Sequence, residues 1–367
     1  MRTARRLALL VCAVLPVARP ARAQDSQLGI AALGTPGREE SVRARTTGGA
    51  FAAFDPTSAL AEAALAEIHS LTSSASTGTS YRQVQATGLT TWLRDTRYPL
   101  VSVGGPLTTR LYFGGGFSTY LDRTYAVVTR DSVMLRGTSE PYTDHITSTG
   151  GVSDVRLAAA VRVGKSLALG VGLHLLTGST QETATRRFDD TTSYATVVLK
   201  GAPRYDGVGV SGSALVTLTS RLSLIGFARS DGHLSHYTGD TLTARTTLPS
   251  TVGGGLRWTP APSARLAASV MWRSWSRTSA NAFNTVSWSA GLELGGAAPL
   301  RLGVRGGQLP FGPGTSAPTE LGVSAGTGRS FAKGRGFLDV GVERLARDAP
   351  GLAERVWTVL VGITVRP

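Results

Sequence analysis

The chain has 367 residues, 45 of them glycine, a formal charge of +14 and a single cysteine, Cys12. One cysteine near the start excludes a disulfide framework and a cysteine metal site. The basicity is almost all arginine, spread singly rather than in runs with interleaved aromatics, so no nucleic-acid partner is expected.

Residues 1–23 read as a secretory signal, with Arg2, Arg5 and Arg6 ahead of an apolar stretch from Leu7 to Val17 and Ala21-Arg22-Ala23 as the cleavage site. Beyond it no apolar run approaches the ~18 residues of a membrane helix. A membrane protein of this sequence would therefore cross as a closed barrel.

Residues 24–66 do not alternate. Gly34-Thr35-Pro36-Gly37 and Gly48-Gly49-Ala50-Phe51 break any strand, and Asp55 as N-cap with Pro56 at the first helical position predicts a short helix through the alanine-rich run towards Ile68. This piece would plug a lumen or hang in the periplasm.

From residue 67 to 367 the pattern changes to segments with period two. The candidate strands are Glu67–Thr79, Thr90–Val103, Thr109–Tyr120, Val152–Val163, Leu167–Thr177, Val208–Leu218, Leu222–Arg229, Thr246–Trp258, Ala264–Trp275, Val286–Leu294, Leu300–Gln308, Glu320–Ser330, Gly336–Leu345 and Val356–Val365. The pair from Val155 to Thr177 is the clearest. Val155, Leu157, Ala159, Val161 and Val163 fall on one face, and Arg156, Ala158, Ala160 and Arg162 on the other. Each arm is about the ~9–11 residues needed to cross a bilayer as a tilted strand.

Short connections, such as Gly104–Thr108 and Gly164–Ser166, alternate with long polar ones after Tyr120, Thr177, Arg229, Trp275, Gln308 and Leu345. That is the asymmetry of periplasmic turns and external loops. Trp258, Trp272, Trp275, Trp288 and Trp357 lie near strand ends or in outward phase, as a girdle at the membrane interfaces would place some of them. The predicted fold class is all-β: a transmembrane antiparallel β-barrel of about fourteen strands in the bacterial outer membrane, surrounded by its lipid, with an N-terminal plug. A soluble β-sandwich also alternates, but a charged face that is consistently arginine plus carboxylate suits a wet lumen better.

Arg156, Arg162, Arg257, Arg265, Arg301 and Arg305 share the inward, small-residue phase with Asp339 and Glu343. These residues would pair with one another or with the N-terminal segment and hold a plug, or would select an anionic headgroup. The structural reading is favoured, because arginine facing lipid is costly.

The remaining motifs carry little chemistry. Gly207-Val208-Gly209-Val210-Ser211-Gly212 matches G-x-G-x-x-G but has no helix after it. Gly164-Lys165-Ser166 resembles the end of a P-loop, yet Ala159 stands where the first glycine should be. His233 and His236 lack a third placed ligand, so no metal is expected. An enzyme built around His174 would need a matching serine or carboxylate, and no G-x-S-x-G is present. No catalytic residue and no cofactor is assigned.

At Gly48-Gly49-Ala50 and Asp55-Pro56-Thr57-Ser58-Ala59-Leu60, with the strands that follow, the chain resembles the FadL-like superfamily of outer-membrane barrels, which includes transporters of long-chain fatty acids and aromatic hydrocarbons and the PorV-like barrels of a secretion system. Ala61-Glu62-Ala63 stands where that family has Asn-Pro-Ala, and the chain ends Val365-Arg366-Pro367 rather than in an aromatic residue. The resemblance implies a fourteen-stranded plugged barrel for passive uptake of a hydrophobic small molecule, fatty-acid-like or aromatic. Phe51, Phe54 and Asp55 would gate it against the lumen arginines. The rival expectation is a structural or secretion-associated barrel that docks a periplasmic or secreted protein partner and transports nothing.

Overall fold

The structure, a computed structural model, describes residues 26–29, 32–86 and 89–367. The expected signal, residues 1–23, lies outside the described residues. Fourteen antiparallel strands form the wall: β1 (Thr72–Ala86), β2 (Leu89–Pro106), β3 (Leu111–Asp122), β4 (Thr138–Val163), β5 (Leu167–Phe188), β6 (Arg204–Thr219), β7 (Leu222–Ser230), β8 (Ser250–Ala261), β9 (Ala264–Arg273), β10 (Thr285–Leu294), β11 (Leu300–Gln308), β12 (Thr319–Phe331), β13 (Gly336–Ala349) and β14 (Leu352–Val365). Each pairs with the next, and β14 returns to β1 from Leu352↔Ala86 to Val365↔Ser73, which closes the barrel and removes its edges.

Period-two patterning decides which side each residue faces. Leu157 is 56% exposed while its neighbour Arg156 is 2% exposed, because the first meets lipid and the second the lumen. Along β14, Trp357, Val359, Val361, Ile363 and Val365 all face outward. Nine residues at ~3.3 Å, tilted by ~40°, rise about 23 Å, close to the ~25 Å apolar band of an outer-membrane barrel. Among the described residues no helix is long and apolar enough to cross a membrane; strands do the crossing.

Every expected strand is present, with differences at the ends. The first begins at Thr72 rather than Glu67, because residues 62–67 form a 3-10 helix. The long connection expected after Leu345 is instead a tight turn at Pro350-Gly351 between strands that run further out. Other external connections are built from strand as well. Tyr125–Leu135 pairs with the upper part of β4, Val197–Gly201 with β5, and His233–Thr238 with Thr241–Thr247.

Trp275 does not belong to an outer girdle. It is buried inside the external end and packs edge-on against Phe311 at 5.2 Å, in a cluster with Leu121, Val152, Tyr205 and Leu234. The other aromatic anchors, Trp258, Trp272, Trp288 and Trp357, are exposed outward.

The external sheet is held by charge. Arg186 donates twice to Asp144, at 2.8 Å each, and lies 3.8 Å over the Tyr142 ring. The hydrogen bonds from Arg186 hold the Asp144 carboxyl below its ordinary range. A lowered folded pKa means the pair stabilises above the unfolded carboxylate value of ~4 and is lost as pH falls through the folded one. Protection of this sheet from protease is therefore expected to stay constant from neutral pH to about pH 4 and to fall below it. Asp144→Asn should abolish that acid dependence, and the effect should be small because the pair faces solvent.

Candidate functional site: a plug clamped inside the barrel

The N-terminal segment runs through the lumen. Ser41 caps a single helical turn, Val42–Arg45, accepting from the Ala44 N–H at 3.1 Å and donating to Asp55 Oδ2 at 2.7 Å. The helix expected to start at Asp55 is absent. Both Asp55 oxygens are already committed, one to Ser41 and the other to the Thr57 N–H and hydroxyl, so the chain turns there. Helical structure resumes only as the 3-10 segment Glu62–Glu67.

The plug rests on glycine. Gly48 and Gly49 take φ of +70° and +93°, a left-handed passage that only glycine makes cheaply. This turn presses Thr46 and Thr47 onto Gly291, Gly303, Gly326 and Gly341, one inward residue from each of β10 to β13. A Cβ at Gly303 would stand 2.0 Å from the Thr47 carbonyl carbon. Opposite, Gly170 of β5 leaves room for Glu62 and Ala63. Part of the glycine excess is thus a seat for the plug.

Ion pairs then fix the plug to the wall. Towards the periplasm, Arg43 makes a two-point bond to Glu293 at 2.9 and 3.0 Å. Glu293 also binds Arg265 at 2.8 Å and Arg301 at 2.9 Å, and Arg301 reaches Asp339 at 2.5 Å. Glu343 holds Arg38 at 2.9 Å and Arg45 at 2.5 Å. Across the barrel, Glu62 accepts from Ser211 at 2.7 Å and Ser213 at 3.0 Å, with Arg156 at 3.8 Å and His174 at 4.0 Å.

The eight charged residues expected in the lumen all face inward. Arg156 donates to the Ser58 carbonyl at 3.2 Å, Arg162 to that of Ala66, and Arg257 grips Glu67 while stacking 4.9 Å over Phe54. Arg265, Arg301 and Asp339 reach the plug through Glu293. Arg305 pairs with the wall residue Glu320 at 2.8 Å. Phe54 packs with Leu65, Ile68, Tyr112 and Phe227. The partner of Phe51 is Arg43, from the plug itself, at 5.8 Å. Asp55 binds Ser41 and Thr57 and so is not the arginine partner expected.

Sequence reasoning missed Glu62, Arg43, Glu293 and Arg229. It also missed the partners of His174. Asp154 meets Nδ1 at 2.8 Å and Ser211 Oγ meets Nε2 at 2.8 Å, so both a carboxylate and a serine are at hand. The set is wired as a clamp rather than as a nucleophile. The Ser211 hydroxyl is spent on Glu62, the backbone of Ser211 sits within paired strands β5 to β7, and Asp154 further binds Arg229 at 2.7 Å, which ties Glu39 of the plug at 3.2 Å. His233 and His236, three apart on a strand, project to opposite faces, and His236 lies against Tyr205. Burial and the nearby Arg123 charge lower the pKa of His236.

Three hollows adjoin the plug's leading segment. Hollows of about 20 and 100 Å³ share Pro36, Gly37, Glu39, Leu60, Arg273 and Trp275 near the external end. A third, of about 110 Å³, lies between residues 35–38 and the wall at Arg82, Asp95, Arg97 and Thr119. It stands behind a seam: β2 and β3 pair only from Leu100 to Pro106, and above that the free edge of β3 pairs with Pro36 and Thr35 through Leu121 and Asp122. Residues 35–37 therefore separate an external hollow from a stretch of wall in which β2 and β3 are joined by the Arg97–Asp122 ion pair rather than by backbone.

The described residues thus form a closed fourteen-strand barrel with an apolar outer band and a charge-clamped N-terminal plug. The fold is similar to that of a Pseudomonas aeruginosa FadL homologue (TM-score 0.64, 13% identity, covering 91% of this chain and 99% of that one). It is also similar to the Pseudomonas putida toluene transporter TodX (0.59, 14%, 90% and 99%) and to the monoaromatic hydrocarbon channel CymD (0.56, 12%, 94% and 99%). No protein-family model and no curated protein matches the chain by sequence.

Proposed function

We propose that the chain is a bacterial outer-membrane channel for passive uptake of a hydrophobic small molecule, gated by residues 24–66. The observation that carries this reading is the position of Thr35–Gly37, which form one wall of the external hollow and at the same time fill the seam between β2 and β3. The hollow is too small for more than a ring-sized molecule while this segment is in place. Displacing it would join the hollow to the seam and give an apolar solute a sideways way out. Neighbours of the same fold that carry toluene or monoaromatic hydrocarbons support the substrate class.

Within that class the lining favours a fatty-acid-like ligand over a bare hydrocarbon. Leu60, Met271 and Trp275 supply apolar surface, while Arg273 lines the hollow and takes part in no ion pair among the described residues. A half-buried guanidinium that makes no ion pair is suited to a ligand carboxylate.

Pro36 and Leu121 are register partners across an antiparallel pair, a separation that a disulfide spans. In proteoliposomes, Pro36→Cys with Leu121→Cys is expected to abolish uptake of fatty acid and of toluene when oxidised, and to regain it on reduction. Arg273→Gln should raise the half-saturating fatty-acid concentration roughly tenfold, as loss of a charged hydrogen bond does, and leave toluene uptake unchanged. Full uptake through the oxidised protein would refute the gating reading, and no uptake in either state would favour a barrel that docks a protein partner.

A further inference from the structure

We propose that the periplasmic rim is a docking surface for the anionic phospholipid headgroups of the facing leaflet, independently of what the channel carries. The charged residues on the tight turns and the strand exit at this end are Arg110, Lys165, Arg221, Lys333, Arg335 and Arg366, all exposed. Not one carboxylate stands among them. None of the six takes part in an ion pair among the described residues, whereas the lumen arginines discussed above are paired with carboxylates or plug carbonyls.

The opposite end differs. There the charges are of both signs and several bind one another, as in Arg186–Asp144, Arg123–Glu182 and Arg355–Asp348, while Arg136, Lys200 and Asp240 take part in no ion pair among the described residues. Unneutralised charge of a single sign is therefore a property of the periplasmic rim.

Position identifies the occupant. Lys165 lies between Val163 and Leu167, Arg221 precedes Leu222, and Arg366 follows Val365, so each cation stands at the foot of the lipid-facing band. Arg329 sits slightly within that band, in the outward phase of Leu321 and Val323, near the exposed Phe331. An arginine facing lipid is tolerated where its stem lies along apolar surface and its head reaches the phosphate layer. The cations are also spread around the circumference, over the β2–β3, β4–β5, β6–β7 and β12–β13 turns and the end of β14. A folded acidic partner would touch one arc; a ring of lipid touches all of it. Basic side chains at a membrane surface attract anionic headgroups and little else in a zwitterionic bilayer.

The test uses the full-length protein in phosphatidylcholine vesicles with spin-labelled phosphatidylglycerol or spin-labelled phosphatidylcholine as probe. The wild type is expected to immobilise the anionic probe about threefold more strongly, and 1 M salt should remove the preference. Glutamine at all six positions should bring the ratio near one. A triple variant, Arg110→Gln with Lys165→Gln and Arg221→Gln, should give an intermediate ratio, with folding checked by heat-shifted gel mobility. Glutamine at the external Arg130, Arg186 and Arg355 should leave the ratio unchanged. An unaltered ratio in the folded triple variant, or equal loss in the external variant, would overturn the proposal.

Discussion

Glu62→Ala is expected to turn a closed barrel into a conducting one. Glu62 is 1% exposed, and its carboxylate is what Ser211, Ser213, Arg156 and His174 converge on. Removing it leaves the buried Arg156 without its ion-pair partner, with only the more distant Glu39 and Asp154 carboxylates, and breaking a buried pair of this kind costs about 3–5 kcal/mol. The wall is held by its own hydrogen-bonded ladder, so the loss falls on the plug. Single-channel conductance in planar bilayers should rise from near zero to a level typical of an open lumen, while heat-shifted gel mobility still reports a folded barrel. Glu62→Gln, which keeps the shape and part of the hydrogen bonding, should conduct less. Wild-type conductance in both variants would remove Glu62 from the clamp.

The second large effect comes from a residue without a side chain. At Gly303 a valine Cβ would meet the Thr47 carbonyl carbon at 2.0 Å and the Gly48 nitrogen at 2.1 Å. Both are backbone atoms, so no rotamer change relieves the clash, and the turn with its two left-handed glycines has no slack. Overpacking of a tight site costs typically ~1–3 kcal/mol when neighbours can shift; here the seat itself is lost. Gly303→Val is expected to free the plug, seen as raised conductance and as new protease sites between residues 38 and 66. Gly226→Ala, on the lipid side with nothing within 4 Å of its Cβ, should leave both unchanged. A Gly303→Val protein that keeps its plug protected would disprove the seat.

The wall was legible in the sequence because a strand states its own orientation. Alternation alone separates Leu157 from Arg156, and the three-residue turn at 164–166 sets the register of the hairpin, placing Arg156 opposite His174. Counting outward from that turn could have put Asp154 and His174 in diagonal positions on the same inward face. The plug was less legible, for two reasons. Its partners come from strands hundreds of residues away, as with Arg38 and Glu343, 305 positions apart. Its local signals are also overridden: Asp55-Pro56 has the form of a helix start, and Asp55 does accept from the Thr57 N–H, but its other oxygen is tied to Ser41 and helical structure resumes only at Glu62. Which of the five tryptophans belong to the girdle was not legible either, since phase at a strand's end says nothing about Trp275 once the strand stops at Arg273.

The closure of β14 onto β1 fixes an order of events. Those strands lie at opposite ends of the chain, so the ring cannot form until all of it is available, and pairings of such sequence separation form slowly. The plug precedes β1, yet Glu343, the anchor for Arg38 and Arg45, lies on the penultimate strand. Until the ring is complete, Arg38, Arg43 and Arg45 remain in contact with water, where a guanidinium carries no desolvation penalty. The Glu343 anchor is thus available only once β13 has been made, and a chain truncated before β13 would lack both its final wall and the carboxylate that seats its beginning.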